Sequence, residues 1–180
     1  MRPVICAFLA IAASMYAARA SEVTLILQFD GRHSEPSVSE MKREIEYLMH
    51  GSGVELSWRN YSDVSASESF PRIVLVKFHG SCETRAFAGR APDDGMPLGY
   101  SHISNGEIIP FADVECDHIR SELRSADDRM LGRAMGRVLA HELHHIIDRT
   151  RSHTRTGLLR KSFSPQDLMA DRTVSSPFTR

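Results

Sequence analysis

The chain has 180 residues, with 22 Lys and Arg against 23 Asp and Glu and a formal net charge of −1. That balance argues against the basic surface that binding to nucleic acid or an anionic membrane demands. The length suits one domain with a real hydrophobic core and leaves too little for a second catalytic domain.

The first segment reads as an address rather than as structure. Arg2, the apolar stretch Val4 to Ala13 and the small-residue ending Ala18-Arg19-Ala20 have the layout of a secretory signal peptide cleaved before Ser21. Residues 1–20 are therefore read as the signal and 21–180 as one mature domain. The apolar stretch is too short for a membrane span, and no other approaches 18 apolar residues. An exported protein without membrane attachment, monomeric, is expected. Cys6 lacks the small-residue pattern of a lipid-anchored leader. Export to an oxidising compartment favours a disulfide between Cys82 and Cys116, the alternative being two separate buried thiols. Neither has a second Cys two to four residues away, so they are a poor match to a zinc site.

In chain order, Glu22 to Phe29 alternates with Val23, Leu25, Leu27 and Phe29 on one side and reads as a strand. Ser37-Val38-Ser39-Glu40 is a capping-box signature for a helix carrying Met41, Ile45, Leu48 and Met49 inward, ended by Gly51 and Gly53. Val54 to Trp58 alternates as a second strand. Arg72 to Phe78 holds the run Ile73-Val74-Leu75-Val76, which predicts a central strand covered on both faces. Ser81 to Pro97, with two Gly and two Pro, reads as a loop at the edge of the site. Leu98 to Ser104 and Glu107 to Val114 flank Asn105-Gly106, the signal of a type I′ hairpin. Pro110 lacks an amide donor and places its strand at an edge or a bulge. Asp127 or Asp128 then caps a long helix through Leu131, Met135, Val138, Leu139, Glu142, His145 and Ile146. The basic stretch from Arg149 to Arg180 reads as a solvated loop and tail.

The long helix carries His141-Glu142-Leu143-His144-His145. Residues four apart on an α-helix share a face, so His141 and His145 can hold one metal ion between them. Glu142 lies beside that face, where it reaches a water rather than the metal itself, the place for a general base. His144 points elsewhere and suits a supporting hydrogen bond or solvent.

This element order, with a helix bearing His-Glu-x-x-His, resembles the upper subdomain of the zincin metalloproteases. The resemblance implies an α+β fold: a twisted mixed sheet, an antiparallel edge strand bordering the cleft and a long active-site helix. It also implies a peptide substrate extended along the edge strand by strand addition. A catalytic zinc usually has three protein ligands and a water. The zincin branch that takes a later Glu is excluded, because no Glu follows Glu142. The metzincin branch continues to a Gly and a third His, but here Asp148 and Arg151 hold those positions. His153 stands two residues later, and a longer turn at Thr150-Arg151-Ser152 would bring it back. The spacing His-Glu-Leu-His-His-x7-His, followed by Gly157 and Ser164 to Leu168, is similar to small exported bacterial proteins with Tyr in place of His144. That likeness favours His153 as third ligand, with Asp148, Asp167 and Asp171 as competing oxygen donors. Asp148 alternatively orients a ligand imidazole or pairs with Arg149 or Arg151. Met169 is read as core packing rather than as a Met beneath the metal. His33, His50, His79, His102 and His118 are read as ordinary histidines, and Tyr100 or His102 as a guess for oxyanion stabilisation.

The functional expectation is a secreted zinc peptidase with His141, His145 and His153 on Zn2+ and Glu142 as general base. The alternative is a non-catalytic exported zinc-binding protein with the same fold. A third reading is an interaction domain with histidines on an amphipathic helix.

Overall fold

The computed structural model describes residues 21–84, 96–123 and 127–170. The signal-peptide reading, most of the Ser81–Pro97 loop, Asp171 and the end of the basic stretch lie outside them. The elements are β1 Ser21–Phe29, α1 Glu35–Met49, β2 Val54–Asn60, a 3-10 turn Tyr61–Asp63, β3 Ile73–His79, β4 Gly99–Ser104, β5 Glu107–Glu115, α2 Cys116–Leu123, α3 Asp128–Asp148 and α4 Pro165–Met169. The five strands lie in the order β2-β1-β3-β5-β4. All neighbouring pairs are parallel except β4 with β5, so the antiparallel strand is the edge, as expected.

The core lies between the sheet and the helices α1 and α3. It is built from Val23, Leu25 and Leu27 of β1, Val74, Val76 and Phe78 of β3, and Met41, Ile45, Met135, Leu139 and Leu143 of the helices. With this face covered, β3 alternates: Val74, Val76 and Phe78 are buried, whereas Ile73 is 43% exposed on the other side. The expectation of a strand covered on both faces is therefore corrected. It is β1 that is buried continuously from Val23 to Leu27.

Helix α1 starts earlier than the capping box at Ser37 indicated. Ser34 is the N-cap, its side chain accepting from the Ser37 amide at 3.2 Å, and Pro36 sits in the first turn, where its missing amide costs nothing. Ser37 is fully buried because Gly132 of α3 passes over it. A Cβ at Gly132 would lie 2.2 Å from the Ser37 carbonyl oxygen, and one at Gly136 would lie 2.9 Å from that of Met41. The two glycines, one helical turn apart, set the distance between α1 and α3. Gly132→Ala is thus expected to cost about 1–3 kcal/mol through overpacking, despite the roughly 1 kcal/mol by which Ala favours a helix. Guanidinium denaturation checks this; a neutral or stabilising result would mean that the helices are free to separate.

The hairpin behaves as its sequence demands, with Asn105 at φ 50° and Gly106 at φ 83°. Strand β5 is not the edge. Pro110 instead falls in the irregular stretch where the β4–β5 register shifts between Ser101 and Ile103. It also stands just before pairing with β3 begins at Phe111, so no ladder amide is missed.

Helices α2 and α4 were not anticipated, although each had a signal. Cys116, Ile119 and Leu123 recur at helical spacing and are the buried residues of α2. Ser164-Pro165-Gln166-Asp167 forms a capping box, with Pro165 in the first turn of α4. The disulfide between Cys82 and Cys116 is present, with Cα atoms 5.1 Å apart. Arg120 reinforces it by donating to the carbonyls of Ser81 and Glu83, both at 2.9 Å. Together they fasten the start of the segment leading to β4 onto α2. Among the described residues, no helix is long and apolar enough to cross a membrane.

Candidate metal centre

Helix α3 begins at Asp127, whose side chain accepts from the Met130 amide at 2.8 Å, and runs for 21 residues. Its buried face carries Leu131, Met135, Val138, Leu139 and then His141, Glu142 and His145. One apolar stripe therefore both anchors the helix in the core and delivers the polar triplet to the cleft. Helix α3 ends at Asp148, sooner than Thr150-Arg151-Ser152 suggested, because Arg149 turns left-handed at φ 50° and ψ 41°. Gly performs such a turn in the strict metzincin pattern, one position earlier. The displaced turn makes the return path longer, which is why the third imidazole comes from His153.

The three imidazoles converge. Each of His141, His145 and His153 offers a nitrogen, and the three lie within 4.8 Å of one another. The His153 ring centroid is 5.3 Å from that of His141 and 4.9 Å from that of His145. His141 Nδ1 donates to the Leu158 carbonyl at 2.8 Å, and His145 Nδ1 donates to the Thr150 carbonyl at 2.7 Å. With the proton of each neutral ring held on Nδ1, both Nε2 atoms carry a bare lone pair. Those two atoms face each other at 3.0 Å. Two acceptors at that distance repel unless a cation lies between them, so the donor set fits a metal ion. A carbonyl accepting from the remote ring nitrogen is a usual way of aiming an imidazole at zinc.

The electrostatics agree with the geometry. Burial pushes the His141 pKa down to about 4, against the opposing pull of the Leu158 carbonyl, and burial also lowers that of His145. Both rings stay neutral, as metal ligation requires. Glu142 is 6% exposed, and burial pushes its pKa up to about 7, opposed by hydrogen bonds from the Ser101 hydroxyl and amide. Ser101 thereby ties the carboxylate to the edge strand. Gly99 of the same strand crosses so close to α3 that a Cβ there would meet Val138 Cγ1 at 2.6 Å.

The other candidates are used elsewhere. Asp148 lies 2.9 Å from His144 Nδ1, so it supports neither a triad ring nor Arg149 or Arg151. Asp167 is taken by Ser164 and by Arg160 at 2.7 Å. Met169 is 37% exposed, and its neighbour Leu168 is the buried residue of α4, which corrects the core reading of Met169. His33 stacks on Phe29, and His118 bonds the Pro97 carbonyl. His79 and His102 grip the two oxygens of the buried Asp113, a cluster that no spacing in the sequence revealed. Tyr100 also bonds Asp113, and burial, with the Asp113 charge beside it, raises the phenol's pKa. Tyr100 and His102 are thus both engaged with Asp113, and the oxyanion guess placed on them finds no support.

No family model matches the sequence, and no curated relative is detected from it. The fold matches the crystal structure of archaemetzincin from Methanopyrus kandleri at a TM-score of 0.52, with 16% identity and 92% of each chain covered. The fold is zincin-like. In this zincin-like frame the edge strand β4 borders the cleft, and α3 presents its histidines and glutamate beneath it. Two cavities open on either side of this point. One, of about 400 Å³, is lined by Met96, Leu98, Val138, Glu122 and Phe163; the other, of about 290 Å³, by Tyr100, Ile103, Ile108, Arg151 and His153.

Proposed function

We propose that the protein is an exported zinc-dependent peptidase in which His141, His145 and His153 hold the metal and Glu142 is the general base. The observation that carries this reading is the pair of Nε2 lone pairs facing each other at 3.0 Å, with His153 closing the triad. When bound, zinc would acidify a water and polarise the substrate carbonyl. The remaining chemistry belongs to the chain. Glu142, held by Ser101, takes the proton of the attacking water and returns it to the departing amine. The outer edge of β4 offers backbone donors and acceptors to an extended peptide, which enters as a further strand. The cavities on either side of Glu142 receive the side chains that flank the cleaved bond. The buried Cys82–Cys116 disulfide supports export.

The test is cleavage of a broad peptide library by the metal-loaded mature chain and by Glu142→Gln. Wild-type cleavage, and a loss of at least 10²-fold in Glu142→Gln with metal content unchanged, is expected, in keeping with the weight of general-base catalysis. Stoichiometric zinc with no cleavage of any peptide would remove the peptidase reading and leave the exported zinc-binding alternative.

A further inference from the structure

A peptidase of this kind needs a donor for the oxygen that becomes negative when water adds to the carbonyl, and the two edge-strand residues guessed for that role are taken. Tyr100 and His102 are engaged with Asp113. The two cavities share four residues: Gly99 from the edge strand, His141 and Glu142 from α3, and Lys161 from the loop after the triad. These four surround the point where the cavities meet, which is where a peptide bond spanning both would be cut. Among the described residues, Lys161 is the one cation lining both; Arg151 lines only the second and donates to the Gly106 carbonyl. Lys161 is exposed and makes no hydrogen bond or ion pair among the described residues. A cationic side chain with no partner among the described residues, on the wall of both cavities together with the buried Glu142, is placed to act on charge that develops between them.

We propose that Lys161 is a catalytic residue that neutralises the oxyanion of the tetrahedral intermediate. The proposal rests on the peptidase reading above. The oxygen of water bonds to the carbonyl carbon while the carbon–oxygen π pair moves onto the carbonyl oxygen, and Glu142 receives the water's proton. Lys161 donates a hydrogen bond to that negative oxygen and keeps its own protons. As the π pair returns, the carbon–nitrogen bond breaks and the amine leaves with the proton from Glu142.

The experiment compares wild type, Lys161→Met, Lys161→Arg and Glu142→Gln, all loaded with zinc and matched for metal content. Kinetics use a cleaved peptide. Binding uses a phosphinic peptide, an anionic tetrahedral mimic, read by calorimetry beside its uncharged amide counterpart. Lys161→Met should lose on the order of 10²-fold in kcat with KM little changed, the usual cost of one oxyanion donor, and Lys161→Arg should recover part of it. Lys161→Met should also weaken the phosphinic peptide by a similar factor and leave the amide unaffected. Unchanged kcat, or a loss confined to KM, would overturn the proposal, the latter pointing instead to recognition of a substrate carboxylate. Cleavage that depends on Glu142 but not on Lys161 would sink this proposal and leave the peptidase reading standing. A wild type that cleaves nothing would sink that reading, while the calorimetric contrast would still report on Lys161.

Discussion

Removing metal with a chelator is expected to lower the midpoint of thermal unfolding of the mature chain, and adding zinc back should restore it. The triad forms only when α3, the left-handed turn at Arg149 and the loop to His153 are folded together. Zinc held by this triad would bind the native state in preference to the unfolded chain, and linkage would convert that preference into stability. At zinc concentrations of about 1,000 times Kd the gain is about 4 kcal/mol, or roughly 8–16 °C at the 2–4 °C per kcal/mol of a domain this size. His153→Ala should lose most of this shift, because it leaves two ligands where three closed the site. Glu142→Gln should keep it, since Glu142 lies outside the three-imidazole cluster. Differential scanning calorimetry of the three proteins with chelator and with zinc reads both effects. An identical midpoint in chelator and in zinc would favour a domain whose histidines merely decorate α3.

The second large effect lies beneath the site. Arg137 is 1% exposed and Glu44 is fully buried, and the Arg137 Nε donates to Glu44 Oε1 at 2.9 Å. The other nitrogens of the guanidinium donate to the carbonyls of Asp167 at 2.6 Å and Ala170 at 2.5 Å. Three elements, α1, α3 and the end of α4, thus meet on one side chain. Removing one partner of such a pair leaves an uncompensated buried charge, at a cost of about 3–5 kcal/mol. Glu44→Leu and Arg137→Met are each expected to lose about that much. The Glu44→Leu, Arg137→Met double variant should recover a large part of the loss, since apolar replacement of a whole buried pair is often neutral. The recovery will be incomplete, because the carbonyls of Asp167 and Ala170 lose their donor in any variant of Arg137. Urea denaturation of the four proteins measures the coupling; purely additive losses would mean that the two residues act independently.

What could be read from the sequence divides along a physical line. The hairpin at Asn105-Gly106 and the helix bearing His141 and His145 were legible because local rules specify them: positive φ at two successive residues, and a spacing of four on a helix. The position of the third imidazole was not legible in the same way. It depends on the path of the chain after α3, and that path is set by a left-handed residue, Arg149, whose side chain does not advertise such a turn. A longer turn after the helix made His153 a candidate, and the resemblance to small exported proteins with the same spacing favoured it over the competing Asp donors. Features made by distant segments were out of reach. Arg137 looks like a solvated charge on an amphipathic helix until Glu44, 93 residues away, is seen beside it. The gathering of His79 and His102 around Asp113 requires three strands to be in register. Whether Ile73 is covered depends on the absence of a helix from the outer face among the described residues, not on the strand itself.

Zinc K-edge X-ray absorption of the metal-loaded mature chain, beside His153→Ala, tests the central claim most directly. The predicted result is one zinc per chain with three imidazole nitrogens and one light donor at about 2.0–2.1 Å, falling to two imidazoles in the variant. Failure to take up zinc, or a spectrum that His153→Ala leaves unchanged, would contradict it.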